Sequence, residues 1–289
     1  MYNNIRELLD MCESEDMPLW KAVVENEKKL SDTSEEQIFE TMAKRYEIMT
    51  AAAKRQLGTS PNPSKTMING LAKGQFVHAQ TGGLSGSFLN RVMAYALSCS
   101  EVNASMGKIC AAPTAGSCGI LPAVMVGVAE ERMLDQDTVY RGLITAAGIG
   151  AVITQNATVS GAEGGCQAEC GVAAGMAAAA VVEMLGGTPR QSATACSLAL
   201  VNVMGLVCDP VAGLVQIPCA QRNASQAVNA IISADMALAG MPCIIPPDEV
   251  IDAMYQVGRM LPCALKETAL GGIAATPTGK KIFRSFFSD

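Results

Sequence analysis

Between Ala146 and Ala234 the chain carries only six charged residues: Glu163, Glu169, Glu183, Arg190, Asp209 and Arg222. So little charge over so long a stretch is foreign to a water-facing surface, and its side chains must face one another or lipid. The longest uncharged apolar runs, Leu143 to Ile153 and Gly171 to Val182, fall short of the roughly 17 residues that cross a bilayer. No membrane association is expected, and burial inside a protein core is the reading that remains. The core formers are Ala, Val, Met and Gly rather than rings, since the 289 residues are 49% hydrophobic and only 4% aromatic. Val, Ile and Thr sit among Ala and Met and rarely alternate with polar residues, which argues against a sheet. The sequence therefore predicts an all-α fold, a compact multi-helix domain with buried Ala/Gly-rich central helices and a loop-borne site. Its long helices are expected over 88–105, 119–132, 137–156, 168–185, 189–204 and 220–239.

The front of the chain is wet by contrast, with 20 of the 48 charged residues in the first 55 positions. Ile5, Leu8, Leu9 and Cys12 recur at helical spacing, as do Ile38, Met42, Tyr46 and Met49, with Ser34 as a cap ahead of Glu35 and Gln37. Two or three amphipathic helices fit there. Gly58 to Ser64 contains two prolines and reads as a hinge, dividing an N-terminal helical segment, 1–57, from a catalytic region, 58–289, unless the two are continuous. A net charge of −6 gives no basic field, so nucleic acid is not an expected partner. The opening residues show no basic start followed by an apolar stretch, which points to a cytoplasmic, reducing location. Eleven cysteines are then free thiols or metal ligands rather than a disulfide framework.

Three connectors between the dry helices combine Gly or Pro with polar groups and cysteine: Ala111 to Gly119, Ser160 to Cys170, and Cys208 to Cys219. Polar loops in so apolar a chain need partners for their backbone groups, which makes them the site candidates. Thiolates hold iron–sulfur clusters, and a cubane with three protein ligands leaves one iron open as a Lewis acid. Cys166, Cys208 and Cys219 stand beside Gly or Pro at helix borders. Cys118 and Cys170 share that setting, so spacing alone does not choose among the five. Cys12, Cys99, Cys110, Cys196, Cys243 and Cys263 read as small core hydrophobes. A zinc site is disfavoured, because no Cys-x-x-Cys pair occurs and His78 is the only imidazole. Gly272 to Lys281 lacks Walker spacing, and Gly82-Gly-Leu-Ser-Gly86 lacks the preceding strand of a dinucleotide fingerprint.

In these loops the sequence resembles the iron–sulfur-dependent L-serine dehydratases, and within them the α chain of the two-chain bacterial form. The resemblance runs from about Val102 to Ala274. It rests on Ala112-Pro-Thr-Ala-Gly-Ser-Cys-Gly-Ile-Leu-Pro122, Ser160-Gly-Ala-Glu-Gly-Gly-Cys-Gln167, Gly205-Leu-Val-Cys-Asp-Pro-Val-Ala-Gly213, Val215-Gln-Ile-Pro-Cys-Ala-Gln-Arg-Asn223 and Lys266-Glu-Thr268. It implies a [4Fe-4S] cluster on Cys166, Cys208 and Cys219, with no pyridoxal phosphate, and dehydration and deamination of L-serine to pyruvate and ammonia. It also implies a β subunit as partner, because the family's α/β module with its Ser-His-Thr motif has no counterpart around His78.

Bordering the implied ligands, Thr114, Gly116, Asn156, Ser160, Glu163, Arg222 and Asn223 are candidates to bind the substrate's carboxylate and ammonium. For Arg222 and Glu163 the competing expectation is an ion pair tying two loops together. Two other functional readings stand beside the dehydratase. One is an L-cysteine desulfidase with a similar cluster, and the other is a non-enzymatic iron–sulfur redox sensor or helical scaffold.

Overall fold

The computed structural model describes residues 1–58 and 66–287. Among them are thirteen α-helices and no strand. The expected hinge lies, apart from Gly58, outside the described residues. From the charged front come α1 (Ile5–Ser14), α2 (Leu19–Ser31) and α3 (Glu35–Arg55). There follow α4 (Leu71–Gln80), α5 (Gly86–Ala104), α6 (Ile120–Arg132), α7 (Gln136–Asn156) and the single turn α8 (Gly161–Gly164). The chain continues through α9 (Val172–Met184), α10 (Pro189–Val201), α11 (Cys219–Leu238), α12 (Pro247–Met260) and α13 (Pro277–Phe287). No helix among the described residues is long and apolar enough to cross a membrane.

The centre of the molecule is α9. Every residue from Val172 to Val182 is buried, because α6, α7, α10 and α11 enclose it. Small side chains make that enclosure possible. A Cβ on Gly175 would come within 2.9 Å of Cys196 Sγ on α10, so only glycine admits this approach. The amphipathic front packs against the same bundle, α2 on α7 and α3 on α5, α6 and α7.

Local signals set several helix starts. Ser34 and Gln37 form a reciprocal capping box at α3, with Ser34 N donating to Gln37 Oε1 at 2.9 Å. Thr188 and Gln191 repeat it at α10, with Pro189 at the first helical position. The first turn of α1 is capped from far along the chain, where Asp248 accepts from Ile5 N at 2.8 Å and Arg6 N at 3.0 Å.

The helix expected over 168–185 begins as a π-helical turn, Gln167–Gly171, before α9 proper. The fully buried Gln167 shapes this entry. Its Nε2 donates to Gly164 O and Met254 O, and its Oε1 accepts from Gly205 N at 2.8 Å. One side chain thus joins the Cys166 loop to α12 and to the connector after α10. The helix expected over 189–204 stops at Val201, and α4, the one-turn α8, α12 and α13 are additions to the expected set. For α12 a signal was present, with Asp248 and Glu249 in the first turn, Arg259 in the last, and buried Val250, Ile251 and Met254 on one face.

Candidate active site

Each of the three connectors is pinned by backbone or amide bonds. Cys208 lies between α10 and α11, and it forms an isolated parallel bridge with Lys266. Its N–H donates to Leu265 O at 2.9 Å, and its carbonyl accepts from Glu267 N at 2.7 Å. Cys219 opens α11. Asn223, one turn on, donates from Nδ2 to Cys219 O at 2.8 Å and to Gly116 O at 2.7 Å, and accepts from Gly119 N at 2.8 Å. Asn223 therefore fastens the loop before α6 to the start of α11. Cys166 sits at the π-turn that Gln167 holds.

The thiols so placed feel one another. Burial, and after it the neighbouring Cys166 and Glu169, push the Cys219 thiol up to about 12 and raise Cys208 as well. Cys166 moves the other way. The hydrogen bond from Cys170, and then the Arg222 guanidinium, hold it below the ordinary thiol range against the opposing effect of burial.

Glu169 occupies the same space. Its Oε1 accepts from Thr114 Oγ1 at 2.7 Å, and Thr114 also meets Ser117 Oγ at 3.2 Å. A Cβ on Gly116 would come within 2.6 Å of Glu169 Oε1, and one on Gly161 would meet Glu169 Oε2 at 2.9 Å and Cys208 Sγ at 3.0 Å. Bare backbone at Gly116 and Gly161 is what lets this carboxylate lie beside Cys208. Burial, reinforced by Glu267, raises the Glu169 carboxyl above its ordinary range.

Arg222 is half-committed. Its Nη2 pairs with the buried Asp209 at 2.8 Å and its Nη1 donates to Val207 O at 2.8 Å. Asp209 Oδ2 in turn accepts from Ile273 N at 2.8 Å, tying the Cys208 loop to the segment before α13.

Among the described residues no three His, Cys, Asp or Glu side chains converge closely enough for a single-ion site. The donor type is that of a polynuclear iron–sulfur cluster: Cys166 comes from one connector and Cys208 and Cys219 from the two ends of another, with Gly161 beside Cys208.

Of the residues singled out from sequence, Thr114, Gly116, Arg222 and Asn223 join this neighbourhood, although the Asn223 amide is fully taken up by backbone partners. Ser160 begins the α8 turn, its N–H donating to Thr158 Oγ1 at 3.1 Å. Glu163 is exposed and accepts from Thr158 Oγ1 at 2.6 Å. The expected pair between Arg222 and Glu163 is corrected, since Asp209 is the carboxylate that Arg222 meets. Asn156 is exposed at the end of α7, with its amide donating to Asn3 O at 2.7 Å and Val152 O at 2.9 Å. Among the cysteines assigned to the core, Cys263 is exposed, and Cys110 and Cys243 are only partly buried, because the segments carrying them run along the surface. His78 lies exposed on α4. A cavity of about 450 Å³ lined by Tyr2, Val23, Asn26, Met42, Ile144 and Gln155 contains none of the predicted residues.

Glu169, Asp209 and Glu267 were not singled out from sequence. A signal existed for the first two. In a stretch with six charges, Glu169, Asp209 and Arg222 are three of them, and a charge in so dry a setting needs a partner or a task.

A family model described as the serine dehydratase alpha chain matches residues 14–274. The chain belongs to this family. It is similar to the L-serine dehydratase alpha chain of Peptoniphilus asaccharolyticus, with 51% identity over 290 residues covering 100% of this chain and 99% of that protein. It is also similar to the probable L-serine dehydratase alpha chain of Bacillus subtilis, with 45% identity, covering 99% and 96% respectively. With L-serine dehydratase TdcG of Escherichia coli the identity is 36% over 94% of this chain and only 61% of that protein. The family match takes in all three cysteine connectors, α4 through α12 and the Lys266 to Thr268 segment.

Proposed function

We propose that this chain is the α chain of an L-serine dehydratase, a lyase that removes water and then ammonia from L-serine to leave pyruvate. The observation that carries this reading is the meeting of Cys166, Cys208, Glu169 and Arg222 around one glycine-lined space, in a chain related along its whole length to proteins so named. Cys166, Cys208 and Cys219 are the residues suited to hold a [4Fe-4S] cluster, and pyridoxal phosphate has no part in the scheme. When bound, such a cluster supplies a Lewis acid for the departing hydroxyl.

The remaining residues bind and orient. Loss of the Cα proton and the Cβ hydroxyl as water gives 2-aminoacrylate, whose imine form hydrolyses to pyruvate and ammonia. Arg222, already oriented by Asp209 and Val207, turns its positive charge toward Cys166 and offers its remaining face to an anion. Glu169, steered by Thr114, presents Oε2 beside Cys208, where a substrate ammonium would restore its ionised form. Asn223 keeps the Thr114 to Gly119 loop in register with Cys219, which makes it a positioning residue. A β subunit is the proposed partner, and the reducing cytoplasm the proposed setting.

The test is anaerobic co-purification with the β chain of the same organism, followed by iron analysis and visible spectra with and without L-serine. Bound iron and a serine-dependent spectral change support the cluster. A colourless, iron-free complex that still dehydrates serine overturns it. Comparing 2-oxoacid release, pyruvate from serine or cysteine and 2-oxobutyrate from threonine, decides between the dehydratase and the desulfidase, since hydroxyl and thiol leave from the same carbon. A cluster indifferent to all three amino acids would favour the redox sensor. Reconstituted α chain that matches the α plus β rate on its own would overturn the two-chain reading.

A further inference from the structure

The segment after α12 returns to the site and then leaves an apolar face uncovered. Leu270, Phe283 and Phe287 are 71%, 49% and 58% exposed. The Phe283 and Phe287 rings lie 5.0 Å apart between centroids, tilted by 42°, and Phe283 and Leu270 line one groove of about 300 Å³ with Ala212, Ala274, Lys280 and Arg284. Its position is tied to the cysteine loops, since α13 packs on the Val211–Gly213 turn and Asp209, next to Cys208, accepts from Ile273 N. Its charge is opposite to that of the whole. The chain carries −6, yet α13 holds Lys280, Lys281 and Arg284 and no acidic residue. Neither Lys280 nor Arg284 makes an ion pair among the described residues, while eight such contacts are made elsewhere.

We propose that the groove between Leu270 and α13 is the docking site of the β chain, which inserts apolar side chains flanked by acidic ones. The proposal rests on the two-chain reading given above. The length of the relatives supports the choice of occupant. The match to TdcG takes in 94% of this chain but only 61% of TdcG, so more than a third of that polypeptide lies outside the matched region and is a precedent for a further part beside an α-type chain. Exposed apolar patches mark interaction sites, and aromatic and Arg side chains are enriched at protein interfaces. A partner seated there closes over the Cys208 loop from the side of Glu267 and Thr268.

Phe283→Asp and Phe287→Asp, each made in the full α chain and co-expressed with the β chain, test the site by co-purification and titration. Leu84→Asp is the control, because Leu84 is fully exposed in the turn between α4 and α5 and does not line the groove. The expected result is a loss of affinity of about thirty-fold or more for either Phe variant, wild-type affinity for Leu84→Asp, and unchanged helical circular dichroism of the α chain in all three. A Lys280→Glu, Arg284→Glu double variant is expected to weaken the complex further at low salt than at high salt. Wild-type affinity in the Phe variants, or weakening confined to Leu84→Asp, overturns the docking site while leaving the two-chain reading intact. Failure of the wild-type α and β chains to associate at all overturns that reading itself.

Discussion

Asn223 uses both amide protons and its carbonyl on backbone groups of two separate loops. Replacing it with Ala leaves Gly119 N buried without a partner, a loss of about 1–3 kcal/mol. We expect Asn223→Ala to lower the melting temperature and, if the cluster reading holds, to release iron faster to a chelator than wild type. Glu169 makes a different prediction. Glu169→Gln keeps the bond from Thr114 but cannot ionise, so kcat/KM for serine is expected to fall about a hundredfold with iron content unchanged. Steady-state kinetics on the iron-loaded complex check it, and an unchanged KM and kcat would remove Glu169 from the site. At this scale the sequence was only partly legible. The chemistry-bearing types were visible, and a dry stretch singles out its few charges, but Asp209 as the partner of Arg222 and the exposure of Glu163 are decided by which way each loop turns. Nothing in the spacing of these residues states it.

The helices divide by what made them readable. Ser34 with Gln37, and Thr188 with Pro189 and Gln191, are local signals whose caps form as their chemistry dictates. The start of α9 is a counterexample, where Gln167 reaches across to Met254 and Gly205 and a π-turn replaces the expected first turn of α-helix. Two predictions belong here. Gly175→Val adds three carbons beside Cys196 on α10, and overpacking of this kind destabilises by about 1–3 kcal/mol, measurable by chemical denaturation. Glu183 on α9 is half-buried, its Oε2 accepting from Thr145 Oγ1 and Trp20 N, and desolvation raises its carboxyl above the ordinary range. A raised folded-state carboxyl binds its proton more tightly than the unfolded chain does. Its stabilising contribution is therefore present at pH below the unfolded value and lost as pH rises through the raised one. Glu183→Gln is expected to gain stability relative to wild type on going from pH 4.5 to pH 7, as thermal unfolding at the two pH values would show.

For the whole molecule, the amino-acid sequence by itself determined the class of fold. An Ala- and Gly-rich stretch with almost no charge, in runs too short for a bilayer, has no stable option except helices packed closely around one another, and α9 within its ring of neighbours is that outcome. The same local chemistry marked the polar connectors, since backbone groups in so apolar a chain need partners wherever the helices stop. Only the tertiary structure decided how the connectors meet. The bridge between Cys208 and Lys266, the Asp209 contact with Ile273 and the Asn223 clasp join residues tens of positions apart, and each depends on the angle at which one helix delivers the chain to the next. Helix periodicity is a property of neighbours along the chain, whereas a site built from several separate connectors is a property of packing. That is also why the exposed face of α13 emerges only in three dimensions, where Phe283 comes to lie beside both Phe287 and Leu270 and all three stay exposed among the described residues.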